Sequence, residues 1–114
     1  MPKLFKKEEN FFVADIIPAK SLKQRVQGLV SYSHLKDKTA FWITACPSVH
    51  TFFMKFPIDV IFTDRQFKIV ALFQEVKAGK ILFGGFRSRN VFEMKAGQVE
   101  FCQLKKGDIL YVES

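Results

Sequence analysis

The two residues best suited to nucleophilic chemistry in this sequence are Cys46 and His50, which lie four positions apart across a loop that contains Pro47. A histidine beside a cysteine can accept the thiol proton, and the resulting thiolate is a strong nucleophile. Such a pair needs a third group to orient the imidazole, and the sequence identifies none. A cysteine- and histidine-dependent enzyme is therefore one hypothesis, and its alternative is a half-buried cysteine beside a histidine at the start of a strand.

A metal site would have to combine this pair with His34 and Cys102, which together supply the four ligands that structural zinc uses. Such sites usually take their ligands in closely spaced pairs, and the sequence offers a single loose pair. We therefore predict no metal site and no cofactor.

Polar residues that interrupt apolar runs form another candidate site. Lys55 and Asp59 flank the segment 56–58, FPI, and burying a lysine alone is costly, so Lys55 must reach solvent, pair with an acid or contact a ligand. Asp59 could instead accept hydrogen bonds from backbone donors at the kink that Pro57 introduces. The functional alternative is one pocket shared by Lys55, Asp59, Glu93 and Arg25.

The segment 84–89, GGFRSR, is rich in glycine and arginine like loops that bind phosphate. It lacks the lysine and hydroxyl residue that end such loops, and no strand-to-helix transition surrounds it. The pattern favours a mobile surface loop. If the loop binds an anion, Arg87 and Arg89 are the expected contacts, because guanidinium groups bind anions in a bidentate manner.

Composition places the chain among globular proteins and leaves its partners open. Hydrophobic residues make up 48% and charged residues 25% of the 114 residues, which is typical of one folded domain, here assigned to residues 1–114. The net charge of +7 would attract nucleic acid, anionic lipid or an acidic partner, but the basic residues are scattered and no recognition motif carries them. Two unpaired cysteines and the lack of an export signal or membrane anchor predict a cytoplasmic protein with no membrane partner.

Short extended segments separated by turns predict a mainly β fold, an antiparallel β-sandwich or partly closed barrel with one or two short helices. Fourteen phenylalanines favour ring packing between two sheets. Residues 1–10 form a charged N-terminal segment that could be mobile, and a helix is predicted over 21–27 with a further helical turn within 98–104. Strands are predicted over 11–17, 39–43, 50–54, 58–63, 67–73, 90–95 and 109–112, with a hairpin at 64–66.

Four segments together resemble one known family. Residues 50–62, HTFFMKFPIDVIF, resemble the central motif of the family called domain of unknown function 192, also known as uncharacterised protein family 0127. Residues 25–29, 91–97 and 106–110 resemble its Gly-Leu step, its late Leu-Glu segment and its closing Gly-Asp turn. The resemblance covers about residues 13–112 and implies a small β-sandwich-like fold with no established activity. This chain differs in having Arg65 after Asp64, where relatives often have glycine, and in lacking the export signal that many relatives carry.

The leading hypothesis is a monomeric, non-catalytic binding module. Its predicted site is a shallow polar cleft near Lys55, Asp59 and the 84–89 loop, which takes a small anionic ligand or an acidic segment of a partner protein. The alternatives from other classes are the enzyme that uses Cys46 and His50, and a protein that binds nucleic acid without sequence preference.

Overall fold

The computed structural model describes residues 2–18, 38–44, 48–51 and 54–114 of the chain. Within these residues the regular backbone structure is mainly β-strand, as the alternating and β-branched segments predict. The strands are β1 (Lys3–Lys6), β2 (Phe11–Pro18), β3 (Thr39–Thr44), β4 (Ser48–His50), β5 (Ile58–Thr63), β6 (Ile69–Val76), β7 (Ile81–Phe83), β8 (Asn90–Lys95) and β9 (Leu110–Glu113), and one short helix, α1 (Gln98–Phe101), precedes β9.

Seven of these strands form a single sheet in the order β6-β5-β8-β3-β2-β1-β9, while β4 and β7 form a separate two-stranded ribbon. The mainly β fold is therefore confirmed, but the large sheet is mixed and not purely antiparallel, because β2 and β3 run parallel. Parallel neighbours cannot be joined by a tight turn and need a long crossover. Residues 19–38 supply that length, and the predicted helix over 21–27 falls within the part of the chain that the structure does not describe.

The two edges of the large sheet approach each other at one corner. Ile69 donates its N–H to the Asp108 carbonyl at 2.8 Å, and Leu110 donates to the Phe67 carbonyl at 2.9 Å. Lys68 and Ile109 form a single antiparallel bridge between these bonds. The sheet is thus strongly curved but not closed into a complete barrel, which agrees with the predicted architecture.

Apolar side chains fill both faces of the sheet around its centre. All six residues of β5 are buried, so its alternate side chains enter two separate core clusters. Ile61 packs in the first with Phe92, Met94 and Leu110. The second cluster lies against the β4–β7 ribbon and contains Phe41, Ile43, Val60, Phe62, Leu82 and Val91.

Predicted and observed elements agree best in the middle of the chain. The strands over 58–63 and 90–95 have the predicted bounds, and the β5–β6 hairpin is confirmed. The second strand of that hairpin starts at Ile69, not at residue 67, because Phe67 adopts a left-handed conformation with φ 63°. Of the strand predicted over 50–54, residues 52 and 53 lie outside the described residues, while residues 51 and 54 do not belong to a strand. β4 ends at His50, and the Thr51 carbonyl accepts a turn bond from the Met54 N–H.

Two short strands were not predicted. β1 lies within the charged segment 1–10, where it pairs with both β2 and β9 and buries Leu4 completely. The lysines of β1 make this segment resemble a charged terminal segment and not a strand. In the structure Lys3 forms an ion pair with Asp15 at 2.6 Å. β7 has only three residues and lies between Gly79 and Gly84, so the sequence pattern of this segment indicates a loop. Within the described residues, no helix has the length and apolar character that a membrane crossing would need.

Candidate functional site

Asp59 is a structural residue at the centre of the fold. It is fully buried in β5, where its Oδ1 accepts the N–H of Glu75 at 2.8 Å and its Oδ2 accepts the N–H groups of Gly97 and Val99 at 3.0 and 2.8 Å. The expectation that Asp59 binds backbone donors is confirmed, but the donors lie in β6 and at the start of α1 and not at Pro57. These bonds join three elements, so the carboxylate has little capacity left for a ligand.

Glu93 lies on the opposite face of the sheet from Asp59. Glu93 pairs with Val60 and Phe41, whereas Asp59 pairs with Met94, and directly paired residues share a face. The pocket predicted for Lys55, Asp59 and Glu93 is therefore wrong, because the strand register separates the two carboxylates. Lys55 is exposed in a bend before β5, and Arg25, the fourth member, lies outside the described residues.

The Glu93 carboxyl is buried among apolar groups. Only 5% of the residue is exposed, and burial raises its pKa to about 7. No residue within the described part of the chain forms a hydrogen bond or an ion pair with this carboxyl. Because desolvation penalises the charged form, the carboxyl is largely protonated below neutral pH.

Three arginines meet at the surface beside the β5–β6 hairpin. An open depression of about 200 Å³ is lined by Asp64, Arg65, Gln66, Arg87 and Arg89. We call Arg65, Arg87 and Arg89 the arginine cluster. Its members come from the hairpin loop and from the 84–89 loop, which are well separated in sequence. The predicted pair Arg87 and Arg89 is thus joined by a third cation that the sequence did not point to.

The hairpin loop has a rigid local structure. The Asp64 Oδ1 accepts the N–H groups of Gln66 and Lys68 at 2.9 and 3.0 Å, the pattern of an Asx turn. Asn90 Nδ2 donates to the Asp64 carbonyl at 3.1 Å, and its Oδ1 accepts from Trp42 Nε1 at 2.9 Å. The depression is lined by three arginines and one carboxylate, so its net charge is positive.

The 84–89 loop is hydrogen-bonded to the sheet at its C-terminal end. A β-carbon on Gly84 would overlap the Phe62 ring, so only glycine fits there without a shift. Arg89 donates its backbone N–H to the Thr63 carbonyl at 2.7 Å, and Ser88 donates to the Gly85 carbonyl at 3.1 Å. The loop is therefore held next to the end of β5.

The Arg89 guanidinium is oriented by its own loop. Its Nη1 donates to the carbonyls of Phe86 and Ser88, both at 2.9 Å. Both of these bonds use Nη1, so Nη2 and Nε can donate to a bound anion. Arg65 and Arg87 are exposed beside it, which leaves their guanidinium groups accessible from solvent.

Two further open depressions have less favourable charge for an anion. One, of about 360 Å³, is lined by Lys6, Lys7, Glu8, Gly107, Asp108 and Ile109, and Lys6 there lies 3.8 Å from Asp108. The other, of about 260 Å³, contains Lys38 and Phe101, and the Lys38 ammonium lies 5.8 Å from the centre of that ring. In each depression one basic side chain already has a partner, Lys6 in the first and Lys38 in the second.

The proposed nucleophilic pair is only half described. His50 ends β4 and is exposed, whereas Cys46 lies outside the described residues, so the enzyme hypothesis stays a prediction. Cys102 is buried and reduced, and burial raises the pKa of its thiol even though Gln98 donates to the sulfur at 3.4 Å. Among the described residues, no group of three or more histidine, cysteine, aspartate and glutamate side chains is arranged to hold a metal.

Arg65 is the member of the site that sequence reasoning missed. It stands 22 positions before Arg87, so no local spacing connects them. One feature of the sequence could have pointed to Arg65. It follows Asp64 in the turn, at a position where the family that this sequence resembles often has glycine.

Two solved structures share this fold. A protein of unknown function from Novosphingobium aromaticivorans superposes with a TM-score of 0.82 at 14% identity, covering 96% of this chain and 82% of that one. A protein from Sinorhizobium meliloti described as a "putative transcription regulator" gives a TM-score of 0.81 at 18% identity, covering 97% and 91% of the two chains. At these identities the likeness concerns the fold alone.

No protein of curated function matches this sequence. The model of the family DUF192, described as "Uncharacterized ACR", matches residues 4–112, which is nearly the whole chain and includes the segments that resemble its motifs. The chain therefore belongs to the DUF192 family, whose function is unknown.

Proposed function

We propose that this protein is a non-catalytic binding module whose arginine cluster binds the anionic group of a small ligand or of an acidic protein segment. The proposal rests on the convergence of Arg65, Arg87 and Arg89 on one open depression. The chain has four arginines, and these are three of them.

Arginine is the side chain best suited to this task. Its planar guanidinium donates two parallel N–H bonds to a carboxylate or a phosphate, which a lysine ammonium cannot do. A single exposed ion pair contributes little, because water and salt screen it. Three guanidinium groups around one depression can share a single anion, and the hydrogen bonds of Arg89 to its own loop reduce the ordering that binding requires.

The charge of the whole chain supports the same proposal. The net charge of +7 draws anions toward the surface from a distance. Asp64 is the one carboxylate that lines the depression, and its Oδ1 is occupied by two backbone N–H groups. We propose a cytoplasmic location, where the buried Cys102 thiol stays reduced.

The test is a titration with inorganic phosphate at low ionic strength, followed by NMR of the arginine Nε–H groups and the loop amides. We expect the signals of Arg65, Arg87 and Arg89 to move together, with a dissociation constant of about 1 mM. Sodium chloride at the same ionic strength should leave them in place.

Two variants and a matched control complete this experiment. Arg87→Gln and Arg89→Gln should each weaken phosphate binding, whereas Lys77→Gln should not, because Lys77 follows the end of β6 that lies farthest from the hairpin loop. Phosphate shifts that are scattered over the lysines, or that survive both arginine substitutions, would refute the proposal.

A further inference from the structure

Three exposed apolar side chains lie on β7 and on the loop that follows it. Ile81 is 72% exposed, Phe83 is 51% exposed and Phe86 is 89% exposed. The rings of Phe83 and Phe86 lie edge to face with their centres 5.4 Å apart. We call these residues the apolar ridge. Contiguous exposed apolar groups of this kind mark surfaces that contact other molecules.

The backbone beside the ridge can accept another strand. Thr51 donates its N–H to the Lys80 carbonyl, and β4 pairs Val49 with Leu82 and His50 with Ile81. In an antiparallel ladder the hydrogen-bonded pairs alternate, so the N–H and C=O groups of Ile81 and Phe83 point away from β4. In the described part of the chain, β7 has no strand on that side.

Apart from its short length, the edge lacks the features that usually prevent strand addition. Exposed edges are commonly protected by an inward-pointing charge, a proline or a bulge. β7 contains none of these within Ile81–Phe83. The three-residue length limits the number of backbone bonds, so a partner must gain additional contacts from side chains.

The ridge continues directly into the arginine cluster. Arg87 follows Phe86 in the chain, and the Arg89 Nη1 donates to the Phe86 carbonyl at 2.9 Å. Apolar side chains and cations therefore lie side by side on one continuous surface. This surface complements a chain segment that carries apolar residues next to carboxylates.

We infer that the ridge and the arginine cluster together bind an extended acidic segment of a partner protein, which adds as a strand along the open edge of β7. This inference rests on the proposed anion binding and names its partner. The apolar side chains of the segment contact Ile81, Phe83 and Phe86, and its carboxylates contact Arg87 and Arg89. A protein segment fits better than a nucleic acid, because the aliphatic Ile81 offers no stacking surface and the strand edge matches a peptide backbone.

The inference can be tested with a fluorescein-labelled peptide, Val-Thr-Val-Thr-Val-Glu-Glu-Glu, and with the same residues in reverse order, by fluorescence anisotropy. At least one of the two peptides, the forward or the reversed sequence, should bind. Phe86→Ser and Arg87→Gln should each weaken binding about tenfold. Phe101→Ser is the matched control, because Phe101 is also exposed, at 65%, and lies in α1.

Chemical variants of the peptide separate the two parts of the surface. Methylation of alternate backbone nitrogens should abolish binding if the segment adds as a strand, and replacement of the glutamates by lysines should abolish it if the arginines are the contacts. Methylated peptide that binds as well as the parent, or Phe86→Ser with unchanged affinity, would overturn the inference.

Two outcomes distinguish this inference from the proposed function. If phosphate shifts the arginine signals while both peptides fail to bind, the anion site stands and the strand-addition site is lost. If single-stranded oligothymidine displaces the peptide and contacts Phe83 and Phe86, the surface binds nucleic acid and the assignment to a protein segment is wrong.

Discussion

The buried carboxyl of Glu93 makes the stability of this protein depend on pH in a way that one substitution should remove. Its neighbours on paired strands are Phe41 and Val60, and Ile58 and Phe62 flank Val60 on the same face. Lys95 is the charged residue on this face of β8, two positions along the strand, and it is exposed. Replacing Glu93 with glutamine keeps the size of the side chain and removes its titration.

The sign follows from the direction of the pKa change. Burial raises the pKa of Glu93 from 4.5 to about 7, so between these values the folded state holds a proton that the unfolded state has released. The free energy of unfolding therefore decreases as the pH rises from about 4.5 to about 7. Above about pH 7 the contribution of Glu93 to this free energy is constant. This rise in pKa corresponds to a decrease of about 3 kcal/mol in the free energy of unfolding across that pH range.

The assay is urea unfolding of the wild type and of Glu93→Gln between about pH 4.5 and pH 8. Other carboxylates also titrate, so the useful quantity is the stability of the variant minus that of the wild type. This difference should rise by about 3 kcal/mol from the low to the high end of the pH range, so that the variant gains stability relative to the wild type. The dependence of the unfolding free energy on urea concentration should be the same for both proteins. Glu100→Gln is the matched control for the substitution itself, because Glu100 is exposed on α1.

A difference for Glu93→Gln that stays constant across the range would refute this reasoning. It would mean that the Glu93 carboxyl ionises over the same pH range in the folded and in the unfolded protein. A cation would then have to contact it, which is not the environment that Phe41 and Val60 provide.

Three further predictions concern residues that hold the fold and its surface together. Asp59→Ala should destabilise the protein by about 3 kcal/mol, because it removes a buried carboxylate that accepts three N–H groups and leaves the buried N–H of Val99 without an acceptor; urea unfolding at neutral pH measures this loss, and a loss below about 1 kcal/mol would show that those bonds are dispensable. Gly84→Ala should cost about 1–3 kcal/mol, since its β-carbon would overlap the Phe62 ring, and the same substitution should weaken phosphate binding by displacing the 84–89 loop; an unchanged melting temperature would contradict this. The buried Cys102 thiol, with its raised pKa, should react with iodoacetamide at pH 8 far more slowly in the folded protein than in urea, and equal rates measured by mass spectrometry at that site would contradict its burial.

Local pattern predicted the strands of the middle region well. The run Ile58–Thr63 and the run Asn90–Lys95 are bounded by residues that end strands, and both were predicted with their observed bounds. The hairpin between β5 and β6 was also predicted, because its turn residues lie between two β-branched and aromatic runs. Pattern failed where a strand is short or carries lysines, as in β1 and β7.

The candidate site was predicted only in part. Arg87 and Arg89 share a loop, so their proximity could be inferred from the chain alone. Asp59 and Glu93 could not be placed relative to each other, because a shift of one residue in strand register moves a side chain to the opposite face. The observed register puts Asp59 beside Met94 and Glu93 beside Val60, which separates them.

The sequence alone therefore determined the fold class and the family of this protein, because both depend on the order of residue types along the chain. It also determined the net positive charge that favours an anionic partner. Tertiary structure alone decided that Arg65 joins Arg87 and Arg89, and that the apolar side chains of Ile81, Phe83 and Phe86 are exposed. The physical reason is that Arg65 and the 84–89 loop are brought together by the bond from Arg89 N–H to the Thr63 carbonyl, a bond that no local pattern encodes.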